Sequence, residues 1–342
     1  MDRKKTRVAI NGFGRIGRAF LKVAYDEPEI EIVAVNDLGD IRNLAYLLKH
    51  DSVYRTFHAP VSVEGENLIV DRKKIQFISE KDTNKLPWKK FDVDVVVEST
   101  GAFASYELSK FHLDQGAKRV VITAPSKGEK GGVKGETILL GVNEEKFGKC
   151  EISSNASCTT NAASPLIAIL HEKLGIEKAV LNTVHAYTAS QSIVDGPNKK
   201  DPREGRAAAQ NIVPSSTGAA IAVTKAFPAL EGLFDGISIR VPVVAGSIVD
   251  VTFISKKNTD ANEVNDILRK ASKEKRWEKV FGVTEEPLVS SDIIGESRAS
   301  IADLLMTRVV GGNLVKVLGW YDNEMGYAHT LLGHVIKVGE KI

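Results

Sequence analysis

Cys158 lies in Ser154-Asn155-Ala156-Ser157-Cys158-Thr159-Thr160-Asn161, between a strand-like run ending near Ser154 and a helical pattern that continues through Leu166, Leu170 and Leu174 to Gly175. This spacing puts the sulfur at or near a helix N-terminus. Unpaired backbone N–H groups and the helix dipole favour an anion there, so the thiol pKa is expected to fall toward the reactive range. Ser157, Thr159 and Thr160 crowd the same turn with hydroxyls suited to an anionic group. A buried cysteine beside a serine/threonine cap has the same local signature, and the turn alone does not separate the two readings.

A cysteine nucleophile needs a base adjacent in space. Of seven histidines, His185 is the best candidate, because it ends the strand-like Ala179-Val-Leu-Asn-Thr-Val-His185. Three further features of this half stand out. Asp195 to Arg206 is a charged, Gly- and Pro-containing stretch that reads as an extended surface loop and carries Arg203. Ser215-Ser216-Thr217-Gly218 clusters hydroxyl and N–H donors. Arg240 interrupts an apolar run, where it either pairs with a carboxylate or binds a phosphate.

The elements that position these residues fall into two halves. In the first, the strand Arg7 to Asn11 runs into Gly12-Phe13-Gly14-Arg15-Ile16-Gly17 and then a helix. Gly12 makes the tight turn, Gly14 admits a pyrophosphate close to the backbone, and Gly17 lets helix pack on strand. A second strand ends at Asp37, placed to accept hydrogen bonds from the adenosine ribose and to repel a 2′-phosphate, which favours NAD over NADP. Ile41 to Lys49 reads as helix, and alternating runs at 61–63, 68–70 and 75–78 suggest a small antiparallel insertion, with Lys81 just beyond. Val93 to Glu98 and Arg119 to Thr123 read as buried parallel strands flanking a helix from Tyr106 to Asp114. Ligands in such sheets sit beyond the strands' carboxyl ends, so Thr100 and Thr123 are either cofactor contacts or ordinary strand-end caps. Lys127 to Gly135 reads as an exposed loop.

In the second half, strands at 179–188, 236–242, 247–255 and 314–321 and a helix at 261–273 suggest a sizeable sheet. A last helix begins near Asn323. The expected fold class is α/β: a Rossmann-type dinucleotide-binding domain with a mostly parallel sheet, plus an α+β catalytic domain with a large mixed or antiparallel sheet. The expected division is residues 1–157 with 324–342 for the first and 158–323 for the second.

At 342 residues and net charge +2, the chain has room for two cores and shows no nucleic-acid footprint. Two cysteines, Cys150 and Cys158, make neither a disulfide framework nor a zinc site, and no metal is expected. No run approaches the ~18 apolar residues of a membrane helix. The basic start lacks the apolar run of a signal peptide, so a cytoplasmic protein without membrane partners is expected.

Together, Asn11-Gly-Phe-Gly-Arg-Ile-Gly-Arg, Val35-Asn-Asp-Leu, Glu98-Ser-Thr-Gly, Ala156-Ser-Cys-Thr-Thr-Asn, Pro214-Ser-Ser-Thr-Gly-Ala-Ala and Trp320-Tyr-Asp-Asn-Glu resemble the phosphorylating glyceraldehyde-3-phosphate dehydrogenases, nearly end to end. The resemblance implies NAD-dependent oxidation of glyceraldehyde 3-phosphate, with Cys158 forming a thiohemiacetal and then a thioester, His185 as base, and inorganic phosphate as the attacking group. It implies that Ser157, Thr159, Thr217 and Gly218 bind one phosphate and that Thr188, Arg203 and Arg240 bind the other or both. It further implies contacts of Arg15 and Ile16 with the pyrophosphate, of Lys81 and Thr123 near the adenine half, and of Asn323 with the nicotinamide amide, in a homotetramer. Met325, Val243, Ile221 and Pro202 depart from the family's commonest pattern without removing a group of chemical role. Alternatives are erythrose-4-phosphate oxidation ending in thioester hydrolysis, disfavoured by the intact Pro214 to Ala220 cluster, and a non-enzymatic RNA- or protein-binding role.

Overall fold

A computed structural model describes residues 5–126, 132–199 and 201–342. Residues 127–131, most of the expected Lys127 to Gly135 loop, lie outside the described residues, as does Lys200 in the Asp195 to Arg206 stretch. The chain forms two compact units, Met1–Ala156 with Ala328–Ile342, and Ser157–Tyr327.

In the first unit, apolar β-branched runs too buried to alternate form a parallel sheet. Thr6–Asn11 lies between Ile30–Asn36 and Val95–Glu98, and Arg119–Ile122, Ile152–Ser154 and Gly135–Thr137 continue outward from the latter in parallel. The expected antiparallel insertion is present and extends this sheet. Lys73–Ile78 runs parallel beside Ile30–Asn36 and carries Asn67–Val70 and Val61–Glu64 as an antiparallel edge. The helix expected over 106–114 is two short pieces, Tyr106–Ser109 and Phe111–Asp114, meeting at Lys110.

The fingerprint glycines are explained by space. Gly12 has φ +94°, and a Cβ on it would meet the Thr100 backbone nitrogen at 2.6 Å. A Cβ on Gly17 would meet the Gly12 carbonyl oxygen at 2.2 Å, whereas one on Gly14 would meet nothing within 4 Å. Gly12 and Gly17 are thus required by packing, and Gly14 leaves room for a ligand.

The last helix, Met325–Gly339, lies mostly in this unit. His334, fully buried, latches it to the strand Ile152–Ser154. Its Nδ1 faces the Asn155 Oδ1 at 3.2 Å and its Nε2 faces the Ser153 hydroxyl at 2.8 Å. An amide oxygen can only accept, so Nδ1 carries the ring proton and Nε2 accepts from Ser153. Burial pulls this imidazole down to about 3, so it is neutral.

In the second unit a mixed sheet runs in the order Val213–Ser216, Phe234–Val241, Ile176–Ala186, Ser247–Ser255, Leu314–Tyr321, Ser300–Asp303, Phe281–Thr284. Ile176–Ala186 pairs parallel with Phe234–Val241 and antiparallel with Ser247–Ser255. The strands at 213–216, 281–284 and 300–303 are additions to the sequence reading; each is only four residues long, too short for periodicity to stand out. Cys158–Leu174 packs on this sheet and against the helix Ala261–Ala271, and every residue from Thr159 to Leu170 is buried. Burial all round explains why Ala162 to Leu170 are small or apolar on every face.

Candidate active site

The turn before Cys158 is tightly specified. Ala156, fully buried, takes φ +54°, a conformation costly for a residue with a Cβ and kept only when its surroundings fix it. Its N–H donates to the Ser154 hydroxyl at 3.0 Å, and Asn155 N–H donates to the Ile122 carbonyl at 3.0 Å. Ser157 then caps the helix, its hydroxyl accepting from Thr160 N–H at 3.1 Å. Cys158 is the first helical residue, so the N–H groups of Cys158 and Thr159 turn toward the sulfur.

His185 Nε2 lies 3.4 Å from Cys158 Sγ, within reach for a bond to sulfur. The thiol keeps partial exposure, while His185 is only 4 % exposed. Burial pushes the Cys158 thiol up, against the opposing pull of the Arg240 charge and of bonds from Thr159. The expectation that the helix end lowers this thiol is therefore corrected: loss of water outweighs the turn's N–H groups. Burial, helped by the Arg240 charge, holds His185 down to about 3.

Among the described residues Arg240 pairs with no carboxylate, and its Nε is buried without a partner. Parallel register places it opposite His185, and its Nη1 lies 2.6 Å from His185 Nδ1.

A residue whose side chain the sequence reading left without a role completes this surface. Tyr321, buried, has its hydroxyl 2.9 Å from Thr159 Oγ1 and 2.8 Å from Thr183 Oγ1. Thr183 donates to the Ile248 carbonyl, so Tyr321 donates to Thr183 and accepts from Thr159. The Thr159 hydroxyl proton is held by Tyr321, leaving the N–H groups of the turn as its free donors. Alternation along Leu314–Tyr321 already marks Tyr321 as inward-facing; its partners lie too far away in sequence to be read.

The remaining anion candidates are spread over the same unit. Arg203 is bidentate with Asp201, Nε donating to Oδ1 at 3.1 Å and Nη2 to Oδ2 at 2.8 Å, and is largely exposed. The Thr188 hydroxyl lies 3.0 Å from that of Ser190, and Gln191 Oε1 accepts from Thr188 N–H at 3.3 Å. Thr217 Oγ1 accepts from Ala219 N–H at 3.2 Å, and Gly218 starts the helix Ala219–Ala226 with open space where a Cβ would stand. Asn323 is buried, its Oδ1 accepting from the Ser247 hydroxyl at 3.0 Å; Ser247 in turn accepts from Ala186 N–H at 3.1 Å.

In the first unit a cavity of about 400 Å³ is lined by Gly12, Gly14, Asp37, Lys81, Ser99 and Thr100 among others. Asp37 Oδ2 accepts from Phe13 N–H at 2.7 Å and Oδ1 from Gly39 N–H at 2.8 Å, so each oxygen keeps a lone pair for a ribose hydroxyl. Open space at Gly14 and that carboxylate fit an adenine dinucleotide. Arg15 pairs with Asp51 at 3.0 Å, Ile16 is half-buried in the first helical turn, and Thr123 ends its strand with its N–H on the Glu98 carbonyl; these three stand outside the cavity wall. Behind the wall, buried Glu98 accepts from Asn11 Nδ2 at 2.6 Å, from the N–H and hydroxyl of Thr100, and from His112 Nε2 at 3.0 Å. Trp88 Nε1 donates to His112 Nδ1 at 2.8 Å, which fixes the proton on Nε2.

Residues 6–106 match the NAD binding domain of glyceraldehyde 3-phosphate dehydrogenase, and residues 157–323 match its C-terminal domain. The chain is 48% identical over 330 residues to glyceraldehyde-3-phosphate dehydrogenase of Thermotoga maritima, covering 95% of this chain and 97% of that one. It is 45% identical over 337 residues to the Geobacillus stearothermophilus enzyme, covering 98% of both, and 44% identical over 327 residues to glyceraldehyde-3-phosphate dehydrogenase 1 of Kluyveromyces lactis, covering 95% and 97%. The chain belongs to the glyceraldehyde 3-phosphate dehydrogenase family.

Proposed function

We propose that this chain oxidises and phosphorylates D-glyceraldehyde 3-phosphate to 1,3-bisphosphoglycerate through a thioester on Cys158. Family membership makes it an NAD-dependent glyceraldehyde-3-phosphate dehydrogenase. The contact of Cys158 Sγ with His185 Nε2 at 3.4 Å carries the proposal for the residues.

Cys158 attacks the aldehyde carbon as its proton passes to His185, which returns that proton to the oxyanion to give a thiohemiacetal. The N–H of Cys158 steadies the oxyanion. Bound NAD would supply the acceptor for the hydride that leaves that carbon. His185 takes the hydroxyl proton, and a thioester remains on Cys158. Inorganic phosphate then attacks it, releasing the acyl phosphate and the thiol. Ser157, Thr159, Thr217 and Gly218 hold one phosphate and Thr188, Arg203 and Arg240 the other or both, supported by the donors they present in one unit. For the cofactor, Gly12, Gly14, Gly17, Arg15 and Ile16 receive the pyrophosphate, Asp37 the ribose, Lys81 and Thr123 the adenine side, and Asn323 the carboxamide. On this reading residues 1–157 with 324–342 bind the cofactor and 158–323 catalyse.

A homotetramer is proposed from apolar side chains facing solvent in the second unit: Val180 is 61 % exposed, Ile237 52 %, Ile212 72 % and Ile193 85 %. A cytoplasmic location is supported by two unpaired cysteines. Among the described residues no helix is long and apolar enough to cross a membrane.

The test is NADH formation from glyceraldehyde 3-phosphate with phosphate varied. Saturable dependence on phosphate is expected. Steady turnover without phosphate would instead indicate thioester hydrolysis, the chemistry of an erythrose-4-phosphate enzyme.

A further inference from the structure

Asn36, Asn11 and Glu98 are register neighbours, the last residues of three adjacent parallel strands, and all three are buried. Asn11, Asn36, Glu80 and Thr100 line the cavity of the first unit, whereas Glu98 lies behind them. Each oxygen of the Glu98 carboxylate takes two donors. Oε1 accepts from the N–H and the hydroxyl of Thr100, and Oε2 from Asn11 Nδ2 and His112 Nε2. Four donors fill the acceptor capacity of an ionised carboxylate and leave no place for a proton. None of the four carries a charge: the Trp88 indole N–H holds His112 Nδ1 as an acceptor, so that ring is neutral.

This buried charge dictates the side chains in front of it. Asn11 turns Nδ2 to Glu98, so its Oδ1 faces Asn36 and accepts from Asn36 Nδ2 at 2.8 Å. Asn36 in turn accepts from Glu80 N–H at 2.9 Å through Oδ1, and its Nδ2 also donates to the Glu80 carbonyl at 3.1 Å. The chain runs in one direction only. Turning Asn11 over would set Nδ2 against Nδ2. Turning Asn36 over to relieve that would set donor against donor and oxygen against oxygen at the Glu80 backbone, which is fixed. In the observed order Asn11 Oδ1, Asn36 Oδ1 and Thr100 Oγ1 each keep one lone pair, since Thr100 Oγ1 accepts only from Ala102 N–H. Such a wall suits the hydroxyl and amino hydrogens of an adenosine.

We propose that Glu98 is a positioning residue of the cofactor site: its buried charge fixes the amides of Asn11 and Asn36 and the turn at Thr100, so that the cavity presents acceptors to the adenosine of NAD. The proposal rests on the reading of that cavity as the cofactor site.

The experiment is steady-state turnover of Glu98→Gln and of the double variant Asn11→Asp/Glu98→Gln, with NAD and aldehyde varied and thermal midpoints recorded. In Glu98→Gln the remaining oxygen stays with the immobile Thr100 N–H, and the new amide N–H groups meet the donors of Asn11 and His112. The KM for NAD is expected to rise roughly tenfold or more, with kcat at saturating NAD and the KM for aldehyde unchanged. In the double variant the carboxylate introduced at position 11 accepts from the new amide and from Asn36 Nδ2, so Asn36 is ordered again. Its NAD KM is expected to fall back toward the wild-type value while the thermal midpoint stays lowered, because the His112 arm is still mismatched. An unmoved NAD KM in Glu98→Gln, a raised KM that the double variant does not lower, or a KM that recovers only in step with the midpoint overturns the proposal. If Glu98→Gln does not fold, neutron diffraction of the wild type decides. A bare carboxylate with the amides ordered as above supports the proposal; a deuteron on Glu98, or Asn11 with its oxygen toward Glu98, overturns it. Asp37→Ala separates the two levels. An NAD KM unmoved by that variant and by Glu98→Gln removes the reading of the cavity, and one unmoved by Glu98→Gln alone removes only the role of Glu98.

Discussion

Arg240 lies against His185 because two strands run parallel in register, although the residues are 55 positions apart in the chain. The base that faces Cys158 is therefore held between a sulfur and a guanidinium. Burial, more than the helix end, governs the thiol.

Replacing the base tests its catalytic share. His185→Asn keeps the size of the ring but provides no group that titrates near neutrality. We expect kcat to fall by roughly 10²- to 10⁴-fold, the usual share of a positioned general base. NAD affinity, measured by fluorescence quenching, should stay unchanged, because His185 belongs to the second unit's site.

Asp37→Ala removes the acceptor for the ribose hydroxyls and also the partner of Phe13 and Gly39 N–H. Hydrogen bonds to a charged group contribute about 1.5–3 kcal/mol each, so NAD affinity should fall by more than tenfold. Preference for NAD over NADP should shrink in the same titrations. An unchanged ratio would show that another group reads the 2′ position.

Tyr321→Phe removes the acceptor of the Thr159 proton and the donor to Thr183. The cost is about 1–3 kcal/mol of stability for buried groups left unpaired. The KM for phosphate should change more than the KM for the aldehyde, since the freed Thr159 hydroxyl sits in the turn proposed to receive phosphate. Denaturant midpoints and the two KM values check both parts.

Acid should destabilise the fold in a defined window. His334 and His185 are held down to about 3, against 6.5 for a free imidazole. Their folded values are depressed, so the unfolded chain binds the extra protons. The stabilisation is complete above about pH 6.5 and is lost as pH falls from there toward 3. Each group contributes a slope of about 1.4 kcal/mol per pH unit in that window. His334→Gln should lower overall stability and reduce the slope by about that amount, measured by reversible denaturant unfolding at pH 5 to 6.5.

Much of this was legible in the sequence because the signals were local. Strand, glycines, helix, strand and Asp37 follow one another within one supersecondary unit. The strand-to-helix turn at Cys158 is likewise a single stretch. His185 could be chosen because it ends a strand of the same half. The pairing of Arg240 with His185, and of Thr159 with Tyr321, depends on sheet register and strand order, which no single stretch encodes. The raised Cys158 thiol was hidden for another reason: the helix end is written in the turn, but the burial that outweighs it comes from the whole unit. Glu98, with four donors around a buried carboxylate, looked like a strand end because its partners at Asn11 and His112 are distant in sequence.

The most direct test of the account is the fate of the acyl group. NAD and glyceraldehyde 3-phosphate are mixed with enzyme in the absence of phosphate, quenched in acid within one turnover, and digested. The account predicts one NADH per active chain and a mass increase of one phosphoglyceroyl group on the peptide containing Cys158, discharged when phosphate is added before the quench. An NADH burst with no acyl group on that peptide, or the same burst in Cys158→Ser, would contradict it.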